Sequence, residues 1–264
     1  MSVIARNNVT VWGDGTTPMI FAHGYGCDQN MWRLIAPAFA HTHRLVLFDH
    51  VGAGQSDPRA YNRVKYSSLE GYADDLLEIC EELRLEHGIF VGHSVSGMIG
   101  VLAAIKQPER FSRLVLIGPS PRYIDDGTYK GGFTREDVDE LLDFQQSNYL
   151  GWSSHLAPVI MGNSDRPELG EELTNSFCRT NPEFAKQFAA VTFLSDNRLD
   201  LPRVPVPCLI LQCRDDAIAP GVVGEYVDAH LPDSRLVPLE ATGHCPQLSA
   251  PEETIAAIRA YLEI

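Results

Sequence analysis

The run Val91-Gly92-His93-Ser94-Val95-Ser96-Gly97 lies between an apolar segment, Gly88–Gly92, and a helical pattern, Ser96–Lys106. A serine on such a strand-to-helix turn has its hydroxyl lifted above the sheet, with the positive end of the next helix aimed at it. Small neighbours are needed because the turn holds the serine backbone in a strained conformation. The pattern is G-x-S-x-S, not G-x-S-x-G; Ser96 is small and Gly97 follows, so the departure reads as tolerated. Taken alone the motif could be an ordinary turn, and its meaning depends on what surrounds it.

Upstream, Pro18–Ala22 and Arg44–Asp49 read as short apolar strands. Between them, Asn30–Ala40 reads as a helix with Trp32, Ile35 and Phe39 on one side. Ser68–Leu83 has helical spacing of Leu69, Tyr72, Leu76, Ile79 and Leu83, with Ser67 or Ser68 as its cap. Downstream, Phe111–Ile117 is a further strand. Fully apolar strands alternating with helices imply a parallel sheet covered on both faces. From Ser120 to Arg198 no strand is convincing; the segment reads as helices over 134–148, 151–161, 167–179 and 182–194. Alternation resumes with strand Cys208–Cys213, helix Gly221–Leu231, strand Ser234–Leu239 and helix Pro251–Leu262. The expected organisation is one α/β core, 1–119 and 199–264, with a helical cap, 120–198, inserted into it.

Composition bounds the function. The 264 residues carry 35 acidic and 21 basic side chains, a formal charge of −14. That sign argues against nucleic acid or an anionic membrane as the main partner, since phosphate binding relies on Lys and Arg. No apolar run approaches the roughly 18 residues of a membrane-spanning helix. The stretch Met1–Asp14 lacks a basic region followed by an apolar one, so no secretory signal is visible and a cytoplasmic location is expected. Six cysteines without a C-x-x-C pair read as reduced thiols. Of these, Cys245 draws notice because it follows His244.

Two segments support the reading of Ser94 as a nucleophile. Arg214-Asp215-Asp216 follows the strand Cys208–Cys213, and Thr242-Gly243-His244-Cys245-Pro246 follows Ser234–Leu239. The chain order serine, acid, histidine is that of α/β-hydrolase sites, and open α/β sheets build sites at the C-terminal ends of strands. Ser94 would attack a carbonyl, His244 would carry its proton, and Asp215 or Asp216 would hold the imidazole tautomer. Residue chemistry does not separate the adjacent carboxylates. Phe21-Ala-His23-Gly24-Tyr25-Gly26 looks like an H-G-x motif, so the backbone N–H groups of Tyr25 and Val95 would form the oxyanion hole. His23 itself reads as a structural histidine bonding loop carbonyls.

Other candidates are weak. Gly52-Ala-Gly54-Gln-Ser56 lacks the lysine of a phosphate loop and reads as a strand-end turn. His41 and His43 have no carboxylate cluster beside them, so no metal and no cofactor are expected. The pairs Asp74/Asp75 and Glu81/Glu82 read as solvated helix faces.

Along its whole length the chain resembles the small serine α/β-hydrolases of the karrikin and strigolactone receptor type, including their bacterial RsbQ-like branch of stress-response regulators. The carrying segments are Phe21–Trp32, Phe48–Asp57, Phe90–Gly100, Gly118–Tyr123, Tyr129–Phe133, Asn148–Trp152, Asp165–Leu169, Phe193–Arg198, Leu209–Asp216 and Gly243–Ser249. D-R-P-E at 165–168 and G-H-C-P at 243–246 favour the bacterial branch. The resemblance implies a mostly parallel sheet with helices on both faces and a V-shaped four-helix cap over a deep, apolar pocket. It favours Asp216 over Asp215. It implies a pocket lining of Tyr25, His93, Tyr123, Phe133, Leu142, Trp152, Leu156, Phe193 and Ile218. Tyr25 stands where many relatives have phenylalanine. It also implies slow hydrolysis of a small hydrophobic ester or butenolide-like lactone, or a signalling role in which ligand handling is read by a partner such as a PAS-domain phosphatase. Dehalogenases of this fold need aspartate at the elbow, and Ser94 argues against them. Carbon–carbon bond hydrolases, cofactor-free haloperoxidases and hydroxynitrile lyases keep the serine, and the motif run argues less for them.

Overall fold

The computed structural model describes residues 2–263; Met1 and Ile264, the outer limits of the expected core segments, lie outside it. In chain order the strands are β1 (Thr10–Trp12), β2 (Thr17–Ala22), β3 (His43–Phe48), β4 (Gly88–His93), β5 (Phe111–Ile117), β6 (Cys208–Asp215) and β7 (Ser234–Thr242). The helices are α1 (Val3–Arg6), α2 (Leu69–Glu82), α3 (Val95–Lys106), α4 (Arg135–Ser147), α5 (Tyr149–Met161), α6 (Pro167–Arg179), α7 (Pro182–Leu194), α8 (Gly221–His230), α9 (Pro246–Ser249) and α10 (Pro251–Leu262). One seven-stranded sheet runs β1-β3-β2-β4-β5-β6-β7, parallel except for β1, which pairs antiparallel with β3.

Alternation along the strands divides the core into two layers. Met19, Phe21, Leu45, Leu47, Ile89, Val91, Val115 and Ile117 share one buried cluster with Trp152, Phe177 and Phe193 of the inserted helices. Ile20, Val46, Phe48, Phe90, Leu114 and Leu116 face the other way and pack with α2, α3 and Val227 of α8. Both faces are covered, as a parallel sheet requires. α4–α7 all lie between β5 and β6, so this block joins the core cluster at the sheet's C-terminal end.

Three local expectations are corrected. The expected helix Asn30–Ala40 is two short 3₁₀ turns, Gln29–Trp32 and Ala36–Phe39. Pro37 offers no N–H to a continuing helix and breaks the run, although Trp32, Ile35 and Phe39 are all buried. Ser68 stands at the N-cap position before α2 but its side chain makes no capping bond, and the Ser67 hydroxyl turns back to the Val64 carbonyl. Asp75 is no solvated carboxylate: its side chain is 1% exposed, with Arg6 Nη2 at 2.8 Å and Lys65 Nζ at 2.6 Å. The Tyr66 hydroxyl donates to its other oxygen at 2.9 Å. Position 75 shares the inward helical face of Tyr72, Leu76 and Ile79, which leaves Asp74 to pair with Lys106 outside.

Candidate active site

Strand order decides where the chemistry gathers. β3 lies on one side of β2 and β4 on the other, so a crevice opens between the ends of β2 and β4. The loop after β2 carries His23–Tyr25 and the turn after β4 carries Ser94. Ser94 has φ 56° and ψ −125°, a left-handed conformation that only a constrained turn holds for a non-glycine residue. Its N–H donates to the Ile117 carbonyl at 2.8 Å, and its carbonyl accepts from Gly97 N–H at 2.8 Å. Gly92 is required beside it, since a Cβ there would stand 2.7 Å from the Ser96 carbonyl oxygen. Gly24 is required across the crevice, where a Cβ would stand 2.5 Å from His93 Nδ1.

The ends of β6 and β7 bring the other two groups. His244 Nε2 lies 2.7 Å from Ser94 Oγ, and His244 Nδ1 lies 2.7 Å from Asp216 Oδ2. Asp216 Oδ1 accepts the backbone N–H groups of Ile218 and Ala219 at 2.8 and 3.0 Å. Burial pushes the Asp216 carboxyl up, but His244 and these two N–H donors hold it below the usual carboxylate range. Asp215 instead points outward, 72% exposed beside Arg214. Successive side chains on a strand point to opposite faces, and a register shift between Cys213 and Asp215 turns Asp216 toward the histidine.

Three hydrogen bonds hold the histidine loop. His93 Nε2 donates to the His244 carbonyl at 2.7 Å, and burial pushes the His93 ring down to about 3, so it stays neutral. The His244 N–H donates to the Ile160 carbonyl of α5 at 2.8 Å, and Asn163 Nδ2 donates to the Thr242 carbonyl at 2.9 Å. The inserted helices therefore touch the site through the backbone that carries His244. The backbone N–H groups of Tyr25 and Val95 find no acceptor among the described residues.

A cavity of about 30 Å³ adjoins Ser94 and His244. It is bounded by Tyr25, His93, Tyr123, Phe193 and Ile218, and by Cys27, Ile160, Leu173, Thr192 and Cys245 besides. Phe133, Leu142, Trp152 and Leu156 do not line it. Trp152 stacks on Phe177 and meets Tyr25 edge-on, Phe133 packs against Phe193, and Leu142 and Leu156 pack against the same core. The expected deep pocket is also corrected: about 30 Å³ is the room of one water molecule. Ile160, Leu173, Thr192 and Phe193 of α5–α7 close on the serine, so an acyl group needs these helices or Tyr25 to shift. Larger clefts, about 530 Å³ between α2 and α7 and about 630 Å³ between α5 and α6, hold none of these polar groups.

Gln145 of α4 carries no sequence signal. It is buried, and its Nε2 donates to the Tyr25 hydroxyl at 2.5 Å. Cys245 and Cys27 are also buried, and burial pushes both thiols up, away from the thiolate a nucleophile needs. Among the described residues no group of three or more His, Cys, Asp or Glu is placed to hold a metal ion, and no helix is long and apolar enough to cross a membrane.

A strained serine after a central parallel strand, with histidine and aspartate delivered by later strand ends, is the arrangement of the α/β-hydrolase fold. The family model for alpha/beta hydrolases matches residues 19–257, and the chain belongs to that family. It is 42% identical over 259 residues to the probable esterase D14L of Oryza sativa subsp. japonica, covering 97% of this chain and 96% of that one. It is 39% identical to the karrikin insensitive 2 receptor CA of Petunia hybrida, covering 97% and 95%. A solved hydrolase from Oleispira antarctica superposes with a TM-score of 0.96 at 40% identity, covering 99% of this chain and 96% of that one.

Proposed function

We propose that the protein is a serine carboxylic-ester hydrolase acting on a small hydrophobic ester or butenolide-like lactone. The observation that carries this reading is the unbroken hydrogen-bond chain Asp216–His244–Ser94, at 2.7 Å for each link. Ser94 Oγ attacks the carbonyl carbon while its proton passes to His244 Nε2. The carbonyl oxygen gains charge, and the N–H groups of Tyr25 and Val95 donate hydrogen bonds to it. His244 then protonates the leaving oxygen, and a water activated by the same imidazole releases the acid from Ser94. Asp216 holds Nδ1–H and stabilises the imidazolium. Residues 120–198 act as the cap that admits the ligand and excludes water. The mostly apolar wall suits a hydrophobic acyl or ring group, and a relative named an esterase supports the class. The test is turnover of p-nitrophenyl acetate: Ser94→Ala abolishes it, and His244→Ala lowers it by at least about 10³-fold. Wild-type-like turnover by Ser94→Ala contradicts the reading.

A signalling role is the second reading. A relative is named a receptor, and the backbone bond from His244 to Ile160 offers a path from ligand handling to α5. The partner would be a protein such as a PAS-domain phosphatase, whose co-purification with the wild-type chain from its own cells is the test.

A further inference from the structure

We propose that Ser96 and His50 are positioning residues that aim the oxyanion hole, a role that rests on the hydrolase reading above. Ser96 stands where the elbow pattern ordinarily has glycine. It is fully buried, with Oγ 2.6 Å from the His23 carbonyl oxygen and 2.8 Å from His50 Nε2. A hydroxyl has one proton to give, and a carbonyl can only accept. Ser96 therefore donates to His23, and His50 must donate to Ser96 through a protonated Nε2. His50 Nδ1 is then bare, in accord with its having no partner among the described residues.

The second arm of the network is assigned the same way. The His50 backbone N–H donates to His23 Nε2 at 3.1 Å, so that nitrogen carries no proton. The proton of His23 sits on Nδ1, which donates to the Gly24 carbonyl at 2.8 Å. That carbonyl belongs to the same planar peptide as the N–H of Tyr25. Fixing the oxygen of a planar trans peptide fixes the direction of its N–H. Ser96 meanwhile lies in the first turn of α3 next to Val95, so its bond to the His23 carbonyl ties the helix that bears one oxyanion donor to the loop that bears the other. The His50 ring meets Phe48, Tyr72 and Phe188 edge-on, so no water replaces a lost partner easily. The serine at position 96 and the histidine at position 50 form one device: an imidazole supports a hydroxyl, and the hydroxyl and the second imidazole hold two successive carbonyls.

The experiment uses the full-length protein with Ser96→Ala, His50→Phe and His50→Gln, with Ser94→Ala as the control. p-Nitrophenyl acetate is the substrate, and n-butylboronic acid is an inhibitor whose adduct places an oxygen in the hole. Removing a whole oxyanion donor costs about 10²–10³ in kcat, and a misaimed donor costs part of that, about tenfold. Ser96→Ala and His50→Phe are expected to lower kcat about tenfold with KM nearly unchanged, and to weaken the boronic acid by the same factor. His50→Gln keeps an N–H donor and is expected to restore most of the loss. If the folded variants keep kcat and boronic acid affinity within about twofold of wild type, the positioning role is wrong, even where the melting temperature drops. If Ser96→Ala does not fold, the two His50 variants decide the matter by the same readouts. If Ser94→Ala itself turns over substrate, the hydrolase reading fails instead.

Discussion

The Tyr25 hydroxyl accepts a 2.5 Å hydrogen bond from Gln145, joining the loop after β2 to helix α4 across the roof of the Ser94 cavity. The Tyr25 ring meets Trp152, Phe177 and Phe188 edge-on, so the hydroxyl is the polar point of an aromatic layer. Leaving one buried partner unsatisfied costs about 1–3 kcal/mol, whereas replacing both by apolar groups is nearly neutral. Tyr25→Phe and Gln145→Leu should each destabilise by about that much, and the double variant by less than their sum. Urea unfolding of the four proteins checks this, and strict additivity would mean the bond carries no coupling.

The two carboxylates after β6 give a sharper contrast. Asp216→Asn removes the acceptor that holds the His244 tautomer, and kcat should fall by about 10⁴. Asp215→Asn alters an exposed group beside Arg214 and should leave kcat within about twofold, as surface changes do. Esterase kinetics on both variants settle which aspartate serves the histidine.

Asp75 predicts stability without activity. Its carboxylate is buried between Arg6 and Lys65, and its bonds go to these and to Tyr66 rather than to Ser94, Asp216 or His244. Removing one partner of a buried ion pair costs up to about 3–5 kcal/mol; Glu78 stays beside Arg6 and Lys65 and holds the loss here to the lower end of that range. Asp75→Ala should lose that much unfolding free energy while kcat/KM of the folded fraction stays as in wild type. A stability change below about 1 kcal/mol, the worth of a surface pair, would return Asp75 to the solvated class.

Buried neutral histidines predict acid sensitivity. Burial holds His50 well below the ordinary imidazole value of 6.5 and His93 down at about 3. Below pH 6.5 the unfolded chain takes up protons that the folded chain refuses, so stability must fall as the pH falls. The slope is about 1.4 kcal/mol per pH unit for each histidine. The His93 contribution continues down to about 3. Urea unfolding at pH 7 and pH 5 measures it, His50→Phe should flatten it, and a wild-type curve that does not change would contradict the buried neutral assignment.

Much of this site was readable from residues because its parts are local. Ser94 needs a strained turn between a buried strand and a helix, and glycine, serine and apolar spacing write that turn into consecutive positions. Three of the four inserted helices announce themselves by Thr134, Pro167 and Pro182 at their starts. What depends on how elements rotate against one another was not readable. Trp152 and Ile160 lie on the same helix, and only the packing of α5 decides that Ile160 meets the cavity while Trp152 backs Tyr25. The closed, water-sized cavity likewise arises from Leu173 and Thr192 on two different helices. Asp75 was legible in principle, since its helical phase matches Tyr72 and Ile79, but the adjacent Asp74 suggested a solvated pair.

The most direct measurement of the central claim is the site of covalent capture. Incubation with a phosphonofluoridate should stop turnover at one equivalent, and peptide mass spectrometry should place the adduct on Ser94, with none formed on Ser94→Ala. Full inhibition with the adduct on another residue, or continued turnover with Ser94 fully modified, would contradict it.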